Sequence, residues 1–266
     1  MLKPDTKRLK KGLWWQKNWG ILEGCTKVSP GCRSCFAEDY ARRFATTLPY
    51  LKGLTDQDGH WTGKVNLRPE LLDLPLKTKT PAVWFVAERS DLFHEDVPDY
   101  FIHDALNAIG TASHHTFLLL TKRPDRMAEV LRDHYESALI NPYTNLWVGT
   151  TSENQEQFNK RGSFLEQTPA AYRFISIEPM LEEINITRYL PNRGRTYSHG
   201  FGPIVWVICG CESGKKARPM RQEWSLSLMK QCRGTGAAFF LKQIVIDGKM
   251  VKAPELNGKQ YLEWPE

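Results

Sequence analysis

The stretch Thr116-Phe117-Leu118-Leu119-Leu120-Thr121-Lys122-Arg123-Pro124-Asp125-Arg126-Met127 carries one complete strand-to-helix unit. Thr116–Leu120 is a short apolar run of the length and composition of a strand buried on both faces. Thr121, Lys122 and Arg123 break that run. Pro124 then opens an amphipathic segment reaching Ser137, and proline suits the first turn of a helix, where its missing N–H has no partner to lose. The same unit recurs along the chain. Further strands are expected at Ala82–Ala87, Leu146–Thr150, Arg173–Ile177, Ile204–Cys209 and Ala237–Leu241. Helical patterns separate them at Val97–Ile109, Asn154–Gln167 and Glu223–Arg233. Repeated strand–helix units mean an α/β fold with right-handed crossovers. A strand near Leu13–Leu22 brings the expected number to about seven. Pattern alone leaves open a doubly wound sheet and a full or partial (β/α) barrel. One domain over residues 1–266 is expected, with excursions near 53–79 and 190–202, where Gly, Pro, Asp and Arg collect.

The composition sets bounds on this reading. The 266 residues are 41% hydrophobic and 25% charged, ordinary for a globular chain. No apolar run is long enough to span a bilayer. The basic start, Met1 to Lys11, lacks the apolar stretch of a secretory signal, so a cytoplasmic location and no membrane partner are expected. There, clustered cysteines favour metal over disulfides. The net charge of +6 permits a nucleic-acid partner without requiring one. Lys215-Lys216-Ala217-Arg218 and the Lys7–Lys17 region with Trp14 and Trp15 are candidate phosphate contacts. Trp14 and Trp15 fit the core better.

Each expected strand ends in polar residues: Glu88, Ser90 and Asp91; Thr121, Lys122 and Arg123; Thr151, Ser152 and Glu153; Glu178; Glu212 and Ser213; Lys242 and Gln243. In parallel folds the active site forms at that edge. Individually, Ser152 and Asp91 would also serve as helix caps. Six strand ends in succession point to one shared polar site.

Cys25, Cys32 and Cys35 lie in Gly24-Cys25-Thr26-Lys27-Val28-Ser29-Pro30-Gly31-Cys32-Arg33-Ser34-Cys35-Phe36-Ala37. A structural zinc site takes four ligands, often as two C-x2-C pairs. Only one such pair is present, so a fourth ligand would come from His60, His94, Cys209, Cys211 or Cys232. The Pro-Cys-x-x-Cys element of zinc deaminases is absent. A 4Fe–4S cluster on three thiolates fits better and leaves one iron open. Cys209 and Cys211 are expected to point to opposite sides of their strand end, with Cys209 and Cys232 in the core.

This loop resembles the Gly-Cys-x3-Cys-x2-Cys-Tyr-Ala loop of radical S-adenosylmethionine (SAM) enzymes, closest to the spore photoproduct lyase-like branch. Three extra residues separate its first two cysteines. The longer form resembles a phage-encoded, radical-SAM-like family. The likeness extends through Ser90-Asp91-Leu92-Phe93-His94-Glu95-Asp96-Val97-Pro98, Leu120–Arg126, Ser176-Ile177-Glu178-Pro179-Met180-Leu181, Gly210-Cys211-Glu212-Ser213-Gly214 and Leu241-Lys242-Gln243.

The resemblance implies a partial (β/α) TIM-like barrel of radical SAM type. Cys25, Cys32 and Cys35 would hold the 4Fe–4S cluster, and the open iron would bind S-adenosylmethionine. One-electron reduction by a flavodoxin- or ferredoxin-type donor would release a 5′-deoxyadenosyl radical that abstracts a substrate hydrogen. Phe36, Glu88, Ser90, Asp91, Thr121, Thr151, Ser152 and Glu153 become candidate cofactor contacts. Lys122, Glu178 and Cys211 become the candidate catalytic set. Ser34 stands where many relatives carry an aromatic. The resemblance further implies isomerisation of an amino-acid-modified thymidine in phage DNA, in the host cytoplasm. The alternatives are a photoproduct-type repair lyase, with Cys211 as hydrogen donor, and a zinc-bound, non-catalytic nucleic-acid-binding protein.

Overall fold

The computed structural model describes residues 2–191, 202–214 and 217–265. Seven parallel strands form in chain order: β1 (Lys17–Trp19), β2 (Val83–Val86), β3 (Thr116–Thr121), β4 (Leu146–Thr151), β5 (Tyr172–Ile177), β6 (Trp206–Gly210) and β7 (Ala238–Ile246). An eighth, β8 (Lys249–Lys252), turns back antiparallel on β7. Their order across the sheet is their order in sequence. A doubly wound sheet must reverse its strand order, so that alternative is excluded. Among the described residues the sheet stays open, with β1 and β8 at its edges.

Because the order never reverses, right-handed crossovers place the helices on one face. Accordingly α2 (Asp99–Thr111), α3 (Pro124–Ser137), α4 (Gln155–Gln167) and α5 (Gln222–Cys232) all contribute to one core cluster. Ile102, Leu131, Phe158 and Leu228 meet the outward strand residues Trp84, Phe117, Val148, Ile175, Val207 and Phe239 there. The alternate strand residues, Phe85, Leu118, Trp147, Phe174, Trp206 and Phe240, form a second cluster on the opposite face. Trp14 and Trp15 leave the line of β1 to fill that face, both buried as expected. Trp14 lies 4.8 Å from the Phe85 ring on β2 and 5.6 Å from the Trp206 ring on β6. In a flat sheet those strands would stand about 19 Å apart. One indole touching both requires the sheet to curl around it.

Several boundaries shift for local reasons. Helix α2 starts after Pro98 rather than at Val97, since proline disfavours helical backbone in the residue before it. Asn154, not Ser152, caps α4, its side chain accepting from Gln157 N at 2.9 Å. The last parallel strand runs five residues past Leu241, to Ile246. Asp247-Gly248 then closes a two-residue hairpin with both residues at positive φ.

The excursion at 53–79 is not a separate body. Its strand Asn66–Leu67 pairs with Leu22–Glu23, and Leu51, Leu54 and Trp61 pack against α1 (Phe36–Phe44). Apart from its ends, the excursion at 190–202 lies outside the described residues, as do Lys215 and Lys216. No described helix is long and apolar enough to cross a membrane.

Candidate functional site

A cavity with an empty volume of about 1170 Å³, partly open to solvent, lies at the carboxyl edge of the sheet. Cys25, Cys32, Cys35 and Phe36 line one side. Glu88, Ser90, Asp91, Thr121, Lys122, Thr151, Glu178, Cys211 and Lys242 also reach it. Of the residues expected at the site, only Ser152 and Glu153 are off its wall.

The cysteine loop is built by close approach. Gly24 has φ +96°, and a Cβ there would stand 2.2 Å from the Lys64 carbonyl, so a side chain is excluded. Gly24 also bridges to Ser90, whose hydroxyl donates to the Gly24 carbonyl. Pro30–Cys32 make a single 3₁₀ turn, and Cys35 is the N-cap of α1. All three thiols are half-buried. Burial, reinforced by Asp91, pushes the Cys25 thiol up to about 12 against the opposing pull of Arg123. The thiol therefore keeps its proton at neutral pH.

Asp91 is a bracket between strand ends. Its carboxylate accepts from Thr121 Oγ1 at 2.6 Å, Phe93 N at 3.0 Å and Lys122 N at 3.1 Å. It also pairs with Arg123 Nη1 at 3.1 Å. The same guanidinium reaches Glu95 at 3.0 Å and stands 3.8 Å from Cys25 Sγ. Burial opposes its charge, but Asp91 and Cys25 hold it firmly protonated. Arg123 is thus a site residue that the strand-end pattern contained but did not single out. His94, weighed as a zinc ligand, has both ring nitrogens engaged, by Thr26 Oγ1 at 3.1 Å and Asp96 N at 3.2 Å. His60 instead stands on the surface, 3.9 Å from Glu38.

Across the cavity, Glu178 and Lys242 form an ion pair at 3.1 Å, and Ser176 Oγ donates to Glu178 at 2.9 Å. The pair reaches from β5 to β7 over Gly210. A Cβ at Gly210 would stand 2.4 Å from Glu178 Oε1, so the missing side chain makes the notch the carboxylate occupies. Burial, then Glu178, pushes the Cys211 thiol up to about 11, so it keeps its proton at neutral pH. Cys209 and Cys211 do not point apart as expected. Two residues is one full strand period, and both belong to the helix-side core. Cys232 is buried in that core too. Burial raises the Glu88 carboxyl against the pull of Arg89 and Lys242.

Among the described residues, three buried polar atoms on this wall have no hydrogen-bond partner: Thr151 Oγ1, Trp14 Nε1 and Glu178 Oε1, the last held only by its ion pair with Lys242. Unpaired buried polar groups are uncommon, and the same condition holds away from the wall at Ser152 Oγ, Trp84 Nε1, Trp147 Nε1 and Trp264 Nε1. Ser152 is fully buried behind the wall. Glu153 is turned to the cysteine loop, accepting from Gly31 N at 2.9 Å and pairing with Arg161 at 3.0 Å.

Residues 11–265 match the family described as "Protein of unknown function (DUF5131)". The chain belongs to this family. In this DUF5131 member the matched span takes in the cysteine loop, all eight strands and every cavity residue named above. No curated protein and no solved structure matches the chain.

Proposed function

We propose that this DUF5131 chain is a radical S-adenosylmethionine enzyme, its curled sheet serving as a partial (β/α) barrel. The observation that carries this reading is one of convergence. Three thiols on a single loop face the same cavity as the polar carboxyl ends of the parallel strands. The donor set suits an iron–sulfur cluster on Cys25, Cys32 and Cys35. Among the described residues, no three His, Cys, Asp or Glu side chains are grouped as ligands of an ion, the loop cysteines included, so the preference for a cluster over zinc rests on the loop's spacing and its single C-x2-C pair.

When bound, the cluster, reduced by a flavodoxin- or ferredoxin-type donor, supplies the electron that splits S-adenosylmethionine so that a hydrogen is taken from the substrate. The chain's own residues prepare the place. Arg123 directs a guanidinium N–H toward Cys25 Sγ and stabilises thiolate charge there. Phe36, half exposed on the cavity lip, offers a ring face to a base. Thr151 Oγ1 and Trp14 Nε1 offer unmet hydrogen bonds. Glu178 and Lys242 present opposite charges to a zwitterionic, amino-acid-like group, which fits isomerisation of an amino-acid-modified thymidine in DNA. Exposed Arg33, just before Phe36, suits a phosphate backbone beside a stacked base, whereas Lys27 is paired with Glu38 at 2.8 Å. A photoproduct-type lyase is the second reading, favoured by the protonated Cys211 thiol on the wall.

The test is anaerobic reconstitution with iron and sulfide, followed by S-adenosylmethionine and dithionite. The expected result is iron and sulfide near four each per chain for a 4Fe–4S centre, with formation of 5′-deoxyadenosine. A colourless protein that forms none ends the proposal. Modified-thymidine DNA against photoproduct DNA as substrate separates the two readings.

A further inference from the structure

Six residues separate Cys25 from Cys32, whereas two separate Cys32 from Cys35. A longer free span is harder to hold in one place, yet the segment just before Cys32 is gripped from two sides. On one side, Gly31 N donates to Glu153 Oε1 at 2.9 Å. Glu153 is fully buried and cannot give way, because its other oxygen pairs with buried Arg161 at 3.0 Å. Arg161 is in turn tied to the Thr151 carbonyl at 3.0 Å. On the other side, Arg218 Nη2 donates to the Pro30 carbonyl at 2.9 Å. Its guanidinium and backbone N–H are both held by Glu212, at 3.0 and 2.8 Å. The two grips start from different strand ends, β4 and β6, and close on adjacent residues. Gly31 fits the gap tightly: a Cβ there would meet the Glu153 carboxyl carbon at 3.0 Å.

We propose that Glu153 and Arg218 are positioning residues, a two-point clamp on Pro30-Gly31 that sets the place of Cys32 relative to Cys25 and Cys35. The consequence for the cluster rests on the function proposed above; the clamp itself does not. It gives Glu153 a role at the loop in place of the expected contact with the cofactor. It also gives the long spacing a purpose, since the added length is what reaches the two strand ends.

The first measurement uses the full chain without metal and follows amide hydrogen exchange at residue 31. Glu153→Ala is expected to speed that exchange about tenfold or more, the loss of a charge-assisted hydrogen bond. Glu153→Gln, which keeps an acceptor oxygen, restores most of the protection. Gly31→Ala leaves the buried Glu153–Arg161 pair intact, so it keeps the fold while pushing the loop away, and it speeds exchange likewise. The second measurement follows iron release to a chelator and the reduced-state electron paramagnetic resonance spectrum of the reconstituted protein. Gly31→Ala and Arg218→Ala are expected to release iron several-fold faster and to alter the spectrum, at unchanged melting temperature of the metal-free chain. Unchanged exchange in both Glu153→Ala and Gly31→Ala overturns the clamp. Faster exchange with unaltered iron release and spectrum overturns its positioning role. If the unmodified chain takes up no iron, the proposed function falls, and the exchange measurement still decides the clamp.

Discussion

The two sides of the cavity are furnished with the same kinds of residue, yet they use them differently. Beside the cysteine loop, Asp91, Thr121, Arg123 and Glu153 are spent on one another and on the backbone. Across from it, among the described residues, Glu178 and Lys242 hold each other and Ser176, and the Cys211 thiol bonds no other side chain. Thr151, between the two, has a hydroxyl with no partner among the described residues. A polar strand end is therefore not by itself a ligand contact. The loop side is a bonded frame around the thiols, and the far side leaves hydrogen-bonding capacity open, which is where the proposed function seats its substrate.

That contrast can be broken by experiment, beginning with its largest consequence. Cys25→Ala, Cys32→Ala or Cys35→Ala should each abolish iron uptake, while Cys232→Ala retains it, as read by iron and sulfide analysis. Iron retention in any of the first three would remove the loop from the metal site. In the metal-free chain, alkylation of Cys25 should climb about tenfold per pH unit from pH 8 toward its pKa of about 12, because only the thiolate reacts. The sign follows from a folded-state pKa raised above the ordinary thiol value: the proton is held until strongly alkaline pH. Rapid, pH-independent labelling at pH 8 would show that Cys25 is not shielded as described.

The frame and the open side should also differ in stability. Arg123→Ala removes the cation that Asp91 and Glu95 share and should cost about 3 kcal/mol in chemical denaturation. Lys242→Met, at a pair that keeps more contact with water than Arg123 and Asp91 do, should cost less, about 2 kcal/mol, while lowering turnover in the proposed reaction. Equal losses in the two variants would erase the distinction between frame and working side. The smallest effect belongs to Thr151→Val. Removing an unpaired buried hydroxyl should leave stability unchanged or raise it by about 1 kcal/mol, and weaken S-adenosylmethionine binding measured by calorimetry. A clear destabilisation would mean that the hydroxyl already has a partner in solution.

Much of the frame was legible in the chain. The helix at Pro124–Ser137 was bounded by its proline and its apolar stripe, and the strand cores by runs that tertiary packing had no reason to override. The carboxyl-edge location of the polar residues followed from strand direction alone. The role of Glu153 was not legible, because its partner Gly31 is 122 positions away and nothing local marks the pair. Arg123 stood among the strand-end residues, but its neighbour Cys25 belongs to another loop, 98 positions off. The indole-filled concave face was hidden for a related reason. Trp14, Trp147, Trp206 and Trp264 are scattered in sequence and meet only when the sheet curls.

The sequence by itself determined the alternating α/β framework and the cysteine loop as the place to look for metal, because periodicity, turn residues and thiol spacing are local properties. Only the tertiary structure decided which strand-end side chains face the cavity unpaired and which are bound to one another. Hydrogen bonds and ion pairs form between whichever groups the fold brings within about 3 Å, and that proximity is set by strand order and curl, which no local pattern records.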